Sequence, residues 1–337
     1  MKRAAGLFAL ALITPTPLCA QPQATLPPQA TLPPLNVQLL EQRLATIAQV
    51  PAGKVGLAVV DVASGRAVSI NGAERFPMAS TVKVAIAATY LSQVDAGKRS
   101  LATMIAFDEK RRLESEGIGQ SLPHPGIVLS AANYIELMLT VSDNSATDTL
   151  LAELGGPAAV EHWLIAHNVE GLRIDRTIGR LLLDETGLPI GPDGDPVAAL
   201  RAADAMPMLS PAQLDAAAAR FDADPRDTAT PLGFARLLAR IDKGELLKPA
   251  SAKFLIDTLA RTTTGPDRIK GGLPADTVVA HKTGTLHGIS DDVALVTLPD
   301  GRRVAIAAFT RGIADGKARA RIIADAARAI YDDALVH

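Results

Sequence analysis

Ser80 and Lys83 stand three residues apart in Ser80-Thr81-Val82-Lys83, where helical patterning begins after Phe76-Pro77-Met78-Ala79. At that spacing both side chains project from one face of a first helical turn. A serine hydroxyl becomes a nucleophile only with a base beside it, and Lys83 is such a base if burial and a second cation lower its pKa. Lys282, in Lys282-Thr283-Gly284-Thr285, is the candidate second cation. The N–H groups at a helix start, together with that of Thr285, offer donors for an oxyanion. Ser142-Asp143-Asn144 lies between these two segments. Its serine hydroxyl can return a proton to a leaving nitrogen, and the Asn144 carboxamide can donate to and accept from a substrate amide. Thr283 and Thr285 add hydroxyls suited to a substrate carboxylate, and Gly284 leaves room at the strand edge. Each segment alone has an ordinary explanation as a helix cap, an exposed lysine or a surface strand. Their joint occurrence in this order points to one site at which Ser80 is acylated.

Positioning these groups requires a strand and several helices. Residues 36–49 carry Leu39, Leu40, Leu44 and Ile47 at helical spacing. Val55 to Val62 and Ala67 to Ile70 read as strands around a turn at Gly65, and helical patterns dominate from Ser80 to about Asn168. Asp108 to Glu116 reads as a solvated surface segment. Gly155-Gly156-Pro157 ends one helix and starts the next. Residues 181–225, rich in proline and glycine, read as irregular. Helical patterning resumes from Pro231 to Leu259. Val278 to Ala280, Asp292 to Leu298 and Arg303 to Thr310 follow as strands, with a hairpin turn at Pro299-Asp300-Gly301, and Ala318 to Tyr331 closes as a helix. Strands near both ends with helices between predict an α/β plus all-α fold. An antiparallel sheet is made by both chain ends and flanked by helices, with an inserted helical subdomain. The expected boundaries are 36–72 with 225–337 for the α/β part, and 73–224 for the helical part including a long loop 177–226.

The chain has 337 residues, 48% hydrophobic and 21% charged, with a formal net charge of −2, so a large core is available and nucleic acid is an unsuitable partner. Lys2 and Arg3, the apolar stretch Gly6 to Ile13 and Leu18-Cys19-Ala20 form a secretory signal with cleavage near Ala20, which predicts a periplasmic or secreted protein. Cys19 is the single cysteine, so the mature chain holds no disulfide; Thr16-Pro17-Leu18 is a poor context for lipidation of that residue. Gln23-Ala24-Thr25-Leu26-Pro27-Pro28 repeats at once, giving a Pro-rich tether over 21–35. No later stretch is long and apolar enough for a transmembrane anchor. No metal-ligand spacing and no cofactor motif is present, and a monomer acting on a small molecule is expected.

The sequence resembles the class A serine β-lactamases and their penicillin-binding relatives over about residues 38–337. Besides the three motifs, the likeness is carried by Arg75 to Ser80, Val94-Asp95-Ala96-Gly97-Lys98, Leu154 to Pro157, Asp224 to Thr228 and Thr264 to Ile269. It implies an active site in the cleft between an α/β and an all-α part. It further implies that Ser80 is the acylated nucleophile, with Lys83, Ser142, Asn144 and Lys282 in the roles given. The family's water-activating glutamate and the asparagine four residues later correspond here to Ile178 and Leu182, which serve neither purpose. Arg176 and Asp227 match the charge pair at the neck of this loop, which is much longer than usual. Within it, Glu185-Thr186-Gly187-Leu188-Pro189 keeps the Glu-x-x-Leu spacing. Glu185 is therefore the candidate replacement base, weighed against an ordinary solvated glutamate, with Asp184, Asp193 and Asp195 as weaker candidates. No aromatic stands at the cleft mouth near Gly117. Arg311 and Arg319 are guesses for a carboxylate-binding arginine, though an exposed role suits each better. His281 reads as a strand-edge residue and Trp163 as core.

The expected activity is hydrolysis of a β-lactam amide through an acyl-enzyme on Ser80. The apolar Ile178 and Leu182 favour an alternative, a penicillin-binding-protein-like D,D-peptidase acting on peptidoglycan peptides and deacylating slowly. A β-lactam sensor would need a membrane relay that the sequence does not show.

Overall fold

The computed structural model describes residues 37–188, 194–203 and 209–336; the signal, the tether, Pro189 and Asp193 lie outside these. Helix α1 (Val37–Ile47) leads into the hairpin β1 (Lys54–Asp61) and β2 (Ala67–Ile70). The short strand β3 (Phe76–Pro77) and a 3₁₀ turn, Ala79–Val82, run into α2 (Lys83–Asp95). β4 (Met104–Ala106), α3 (Ile118–Ser121) and β5 (Val128–Ser130) precede α4 (Ala131–Thr140), α5 (Asn144–Leu154) and α6 (Pro157–Ala166). Strands β6 (Leu172–Arg173) and β7 (Thr228–Ala229) flank the long loop, which holds α7 (Ile178–Thr186), α8 (Pro196–Ala203) and α9 (Pro211–Asp222). Helices α10 (Pro231–Asp242) and α11 (Pro249–Leu259) come next, then β8 (Val279–Leu286), β9 (Ile289–Thr297), β10 (Arg303–Arg311) and α12 (Gly316–Val336).

Both chain ends build the main sheet, antiparallel in the order β2-β1-β10-β9-β8. Alternate residues of its strands enter two different cores, because side chains in a strand point to opposite faces. Leu57, Val59, Ala294, Val296, Val304 and Ile306 pack with Leu40, Leu44, Ile323 and Ile330 of α1 and α12. Ala58, Val60, Val293, Leu295, Ala305, Ala307 and Phe309 pack with Phe234 and Leu238 of α10 and with the core of the helical part. Burial on both faces explains the nearly continuous apolar runs of β1, β9 and β10. Trp163 joins the helical core as expected.

The described residues of 181–225 are mostly helical, not irregular. They hold most of α7 and all of α8 and α9. Pro196 and Pro211 begin α8 and α9, where a missing N–H costs nothing and a fixed φ favours the helix. Ser210 and Gln213 form a reciprocal capping box on α9. Thr177 caps α7 by accepting from Arg180 N. Two of the prolines that suggested a loop, Pro196 and Pro211, are helix starts.

Candidate active site

Ser80 lies half-buried in the 3₁₀ turn, and Lys83 opens α2 fully buried. The turn begins at Ala79, held at φ 44°, and Ser142 sits at φ 59°. Non-glycine residues in this region cost on the order of 1–2 kcal/mol and persist only where the surroundings over-determine them. Ala79 immediately precedes Ser80, and Ser142 is itself one of the residues singled out from sequence. Thr81 pins the turn by donating Oγ1 to Met78 O at 2.6 Å.

Ser142 is the centre of the polar network. Lys83 Nζ donates to Ser142 O at 2.6 Å, Ser142 Oγ at 3.1 Å and Asn144 Oδ1 at 2.7 Å. Lys282 Nζ donates to the same Ser142 Oγ at 2.9 Å and to Thr283 O at 2.8 Å. Two lysine Nζ donors occupy the acceptor sites of one hydroxyl, which leaves its proton free to be donated. Burial lowers Lys83 from its usual range to about 7, against the opposing pull of Asp143 and Asp148. Burial also pushes Lys282 well down, reinforced by the charges of Lys83 and Arg268.

Asp143 orients this turn from behind. Its Oδ1 caps α5 by accepting from Ala146 N, and its Oδ2 accepts from Ser115 Oγ at 3.0 Å and Ile118 N at 2.5 Å. Gly117 is required here, since a Cβ would collide with the Asp143 carboxylate. The charged segment 108–116 is therefore anchored at its end to the Ser142 turn, with Leu113 buried.

Strand β8 forms the opposite wall. A Cβ on Gly284 would lie 2.9 Å from Met78 O, 3.0 Å from Ala79 Cβ and 3.2 Å from Asp291 Oδ2. What the glycine first allows is close approach of β8 to the Ser80 turn. Thr283 Oγ1 shares a 2.6 Å hydrogen bond with Thr264 Oγ1. Arg268 donates to Thr285 Oγ1 at 2.7 Å and to Gly284 O at 2.8 Å, which puts a guanidinium beside the exposed Thr285. Arg268 was not among the candidate residues, although it lies inside Thr264 to Ile269, one of the stretches that carried the resemblance. The two arginines guessed from sequence are elsewhere. Arg311 pairs with Glu74 at 2.6 Å and Asp222 at 3.1 Å. Arg319 is buried, not exposed, and donates to Ser290 Oγ and to Ile313 and Ala314 carbonyls. His281 stands on the edge strand but is buried, its Nδ1 3.0 Å from Asp292.

At the neck of the long loop, Arg176 Nε meets Asp227 Oδ2 at 2.5 Å, with both side chains buried. Arg176 also pairs with Asp184 at 2.9 Å and Asp224 at 3.2 Å, and Arg226 bridges the same two carboxylates. Asp184 is thus held in ion pairs, and Asp195 accepts from Val197 N and Ala198 N at the start of α8.

Ile178 is buried in the helical core, and Leu182 packs half-buried against it. Glu185 follows on the same face of α7, seven residues from Ile178. Its Oε1 accepts from His287 N at 2.8 Å, which ties α7 to the turn between β8 and β9. Hydrogen bonds thus bring together Lys83, Ser142, Asn144 and Lys282, with Glu185 seated separately on the β8–β9 turn. Asp148, read from sequence only as part of a helix start, is a buried carboxyl one turn along α5 from Asn144. It accepts from Ile178 N at 2.7 Å and Gly179 N at 2.9 Å. Burial raises it to about 6.

A model of the β-lactamase enzyme family matches residues 39–334. The chain is 28% identical to β-lactamase CTX-M-8 of Citrobacter amalonaticus, over 87% of this chain and 88% of that protein. Among solved structures, a reconstructed ancestral class A β-lactamase of Gram-negative bacteria is 31% identical with a TM-score of 0.70, covering 87% of this chain and 99% of that one. A β-lactamase of Chitinophaga pinensis is also 31% identical, with TM-score 0.70 and coverage of 88% and 97%. The motifs, the two-part fold and these likenesses agree: the chain belongs to the class A serine β-lactamase family.

Proposed function

We propose that this protein hydrolyses the amide of β-lactams through an acyl-enzyme on Ser80. The observation that carries this is Ser142 Oγ, which accepts from both Lys83 and Lys282 and so keeps its own proton for donation. Neutral Lys83 removes the proton of Ser80 Oγ as it attacks the lactam carbonyl. The N–H groups of Ser80 and Thr285 hold the developing oxyanion. Ser142 protonates the departing lactam nitrogen. Asn144 accepts from Lys83 through Oδ1 and offers its NH₂ to the substrate amide. Thr283, Thr285 and Arg268 hold the substrate carboxylate, with the guanidinium supplying charge.

Water then attacks the acyl-enzyme, and this step needs a base other than Ile178. We assign it to Glu185, the carboxylate on the α7 face that carries Ile178 and Leu182 and the one tied to the β8–β9 turn. Asp148 instead holds the first turn of α7, accepting from Ile178 N and Gly179 N. Time-resolved mass spectrometry with benzylpenicillin follows both halves. Wild-type protein should gain and then lose an adduct on Ser80. Glu185→Gln should acylate normally and deacylate about 10²–10⁴-fold more slowly, the usual worth of a general base. Normal deacylation by that variant removes Glu185 from the mechanism. An adduct that persists on the wild type instead identifies the slow, penicillin-binding-protein-like reading. The protein acts after export, its signal cleaved near Ala20; among the described residues no helix is long and apolar enough to cross a membrane.

A further inference from the structure

Asp292 and His281 form a buried pair behind β8 that no step of the proposed reaction uses. Asp292 lies in β9 opposite Thr283, and His281 is its diagonal neighbour across the two strands. Both side chains are buried. His281 Nδ1 lies 3.0 Å from Asp292 Oδ1 and 3.2 Å from Oδ2. Among the described residues His281 Nε2 has no partner, so the carboxylate is what orients the ring. Asp292 Oδ2 also accepts from Ile269 N at 3.1 Å. Ile269 directly follows Arg268, the guanidinium beside Thr285.

The segment that carries Arg268 is stitched to the sheet at several points. Thr262 Oγ1 donates to His281 O at 2.7 Å, and Thr264 Oγ1 meets Thr283 Oγ1. Gly265 follows at φ 58°, where a Cβ would lie 2.7 Å from Thr283 Cγ2 and 3.2 Å from Arg268 Cδ. The glycine thus lets the stem of Arg268 pass beside Thr283. The backbone bonds of Arg268 itself stay local: its N donates to Gly265 O at 3.1 Å, and its O accepts from Gly272 N at 3.2 Å. The Ile269 N bond to Asp292 is what joins this turn to the sheet. From there Arg268 Nη1 reaches Gly284 O at 2.8 Å and Asp291 O at 2.9 Å. A guanidinium is a rigid fork, so a shift at its root misaligns every acceptor it serves.

We propose that Asp292, braced by His281, is a positioning residue for the substrate carboxylate: it fixes the root of Arg268 so that the guanidinium stands against Thr285. The assignment rests on the lactam-hydrolase reading. It makes recognition of the carboxylate depend on a buried pair that the substrate does not touch. A buried carboxylate accepting two N–H groups is a stiff anchor, because charge-assisted hydrogen bonds are short and strong.

The test compares kcat/KM for benzylpenicillin with that for its methyl ester, which lacks the carboxylate charge. Asp292→Asn removes the charge and sets an amide against His281 or Ile269 N. It should lower the acid-to-ester ratio about 10- to 100-fold, chiefly through KM, the usual worth of one hydrogen bond to a charged group. His281→Leu takes away only the brace and should lower the ratio about 3- to 10-fold. It keeps the test available if the asparagine variant does not fold by circular dichroism. In an Arg268→Ala background the Asp292 change should lower the ratio no further, because both act through one guanidinium. Equal losses on acid and ester in the folded variants are what a merely structural role gives, and they overturn the assignment. So does a further loss of the ratio in the Arg268→Ala background. Absence of benzylpenicillin turnover by the wild type overturns the lactam-hydrolase reading instead.

Discussion

Arg176→Ala tests how the long loop is tied to the body. Arg176 Nε contacts Asp227 Oδ2 at 2.5 Å, and its Nη1 reaches Asp184 and Asp224 at 2.9 and 3.2 Å. The guanidinium also stacks 5.2 Å above the Phe221 ring of α9. Asp227 is 2% exposed, so removing its cation leaves a buried carboxylate with only the N–H groups of Asp175 and Arg176. Breaking one side of such a pair costs about 3–5 kcal/mol. For a chain of this size the unfolding entropy is on the order of 0.6 kcal/mol/K, so Tm should fall by about 5–8 °C. Thermal melts by circular dichroism measure this, and mapped trypsin cleavage should show new cuts between residues 177 and 226.

Burial holds the Asp227 carboxyl above its ordinary value despite the guanidinium beside it, so the pair gains little over a neutral one. Arg176→Met combined with Asp227→Asn keeps an acceptor for both N–H groups and removes both charges. The double variant should therefore recover most of the lost Tm. A single variant that melts within about 2 °C of wild type, with no new cleavage in the loop, refutes the idea that this pair closes the neck.

Other outcomes follow from the same geometry. Lys83 must be neutral to act as base and its ammonium is lowered to about 7, so the acylation rate should rise with pH through about 7 and level off above it; a rate measured by stopped flow that stays flat from about pH 5.5 to 8.5 removes Lys83 from that role. Gly284→Ala would bring a methyl 2.9 Å from Met78 O and 3.0 Å from Ala79 Cβ, forcing the Ser80 turn back by a few tenths of an ångström. It should lower kcat about 10- to 100-fold with little change in Tm, the effect of small misplacements at a reacting centre; unchanged kcat would show that the close approach does not matter for catalysis.

The order of strands and helices was legible because strands that alternate between two buried faces, and helices with clear caps, write strong local patterns. The hairpin of β1 and β2 and the last three strands follow the sequence reading to within a few residues. The long loop was misread because Pro196 and Pro211 have the same local signature whether they interrupt structure or start a helix. Arg319 could not be placed from sequence, because its burial depends on Ser290 and the Ile313 carbonyl, which reach it through the packing of α12 on the sheet.

By itself the sequence determined the types and order of the reactive groups: Ser80 with Lys83, Ser142 with Asn144, Lys282 with Thr283. It also showed that Ile178 and Leu182 cannot activate water. Only the tertiary structure decided that Lys83 and Lys282 meet on one hydroxyl, that Gly284 is small because Ala79 packs against it, and that Arg268 stands beside Thr285. These contacts join segments from opposite ends of the chain. Their distances, and the desolvation that lowers both lysines, are set by how the sheet and the helices pack and have no local signature in the sequence.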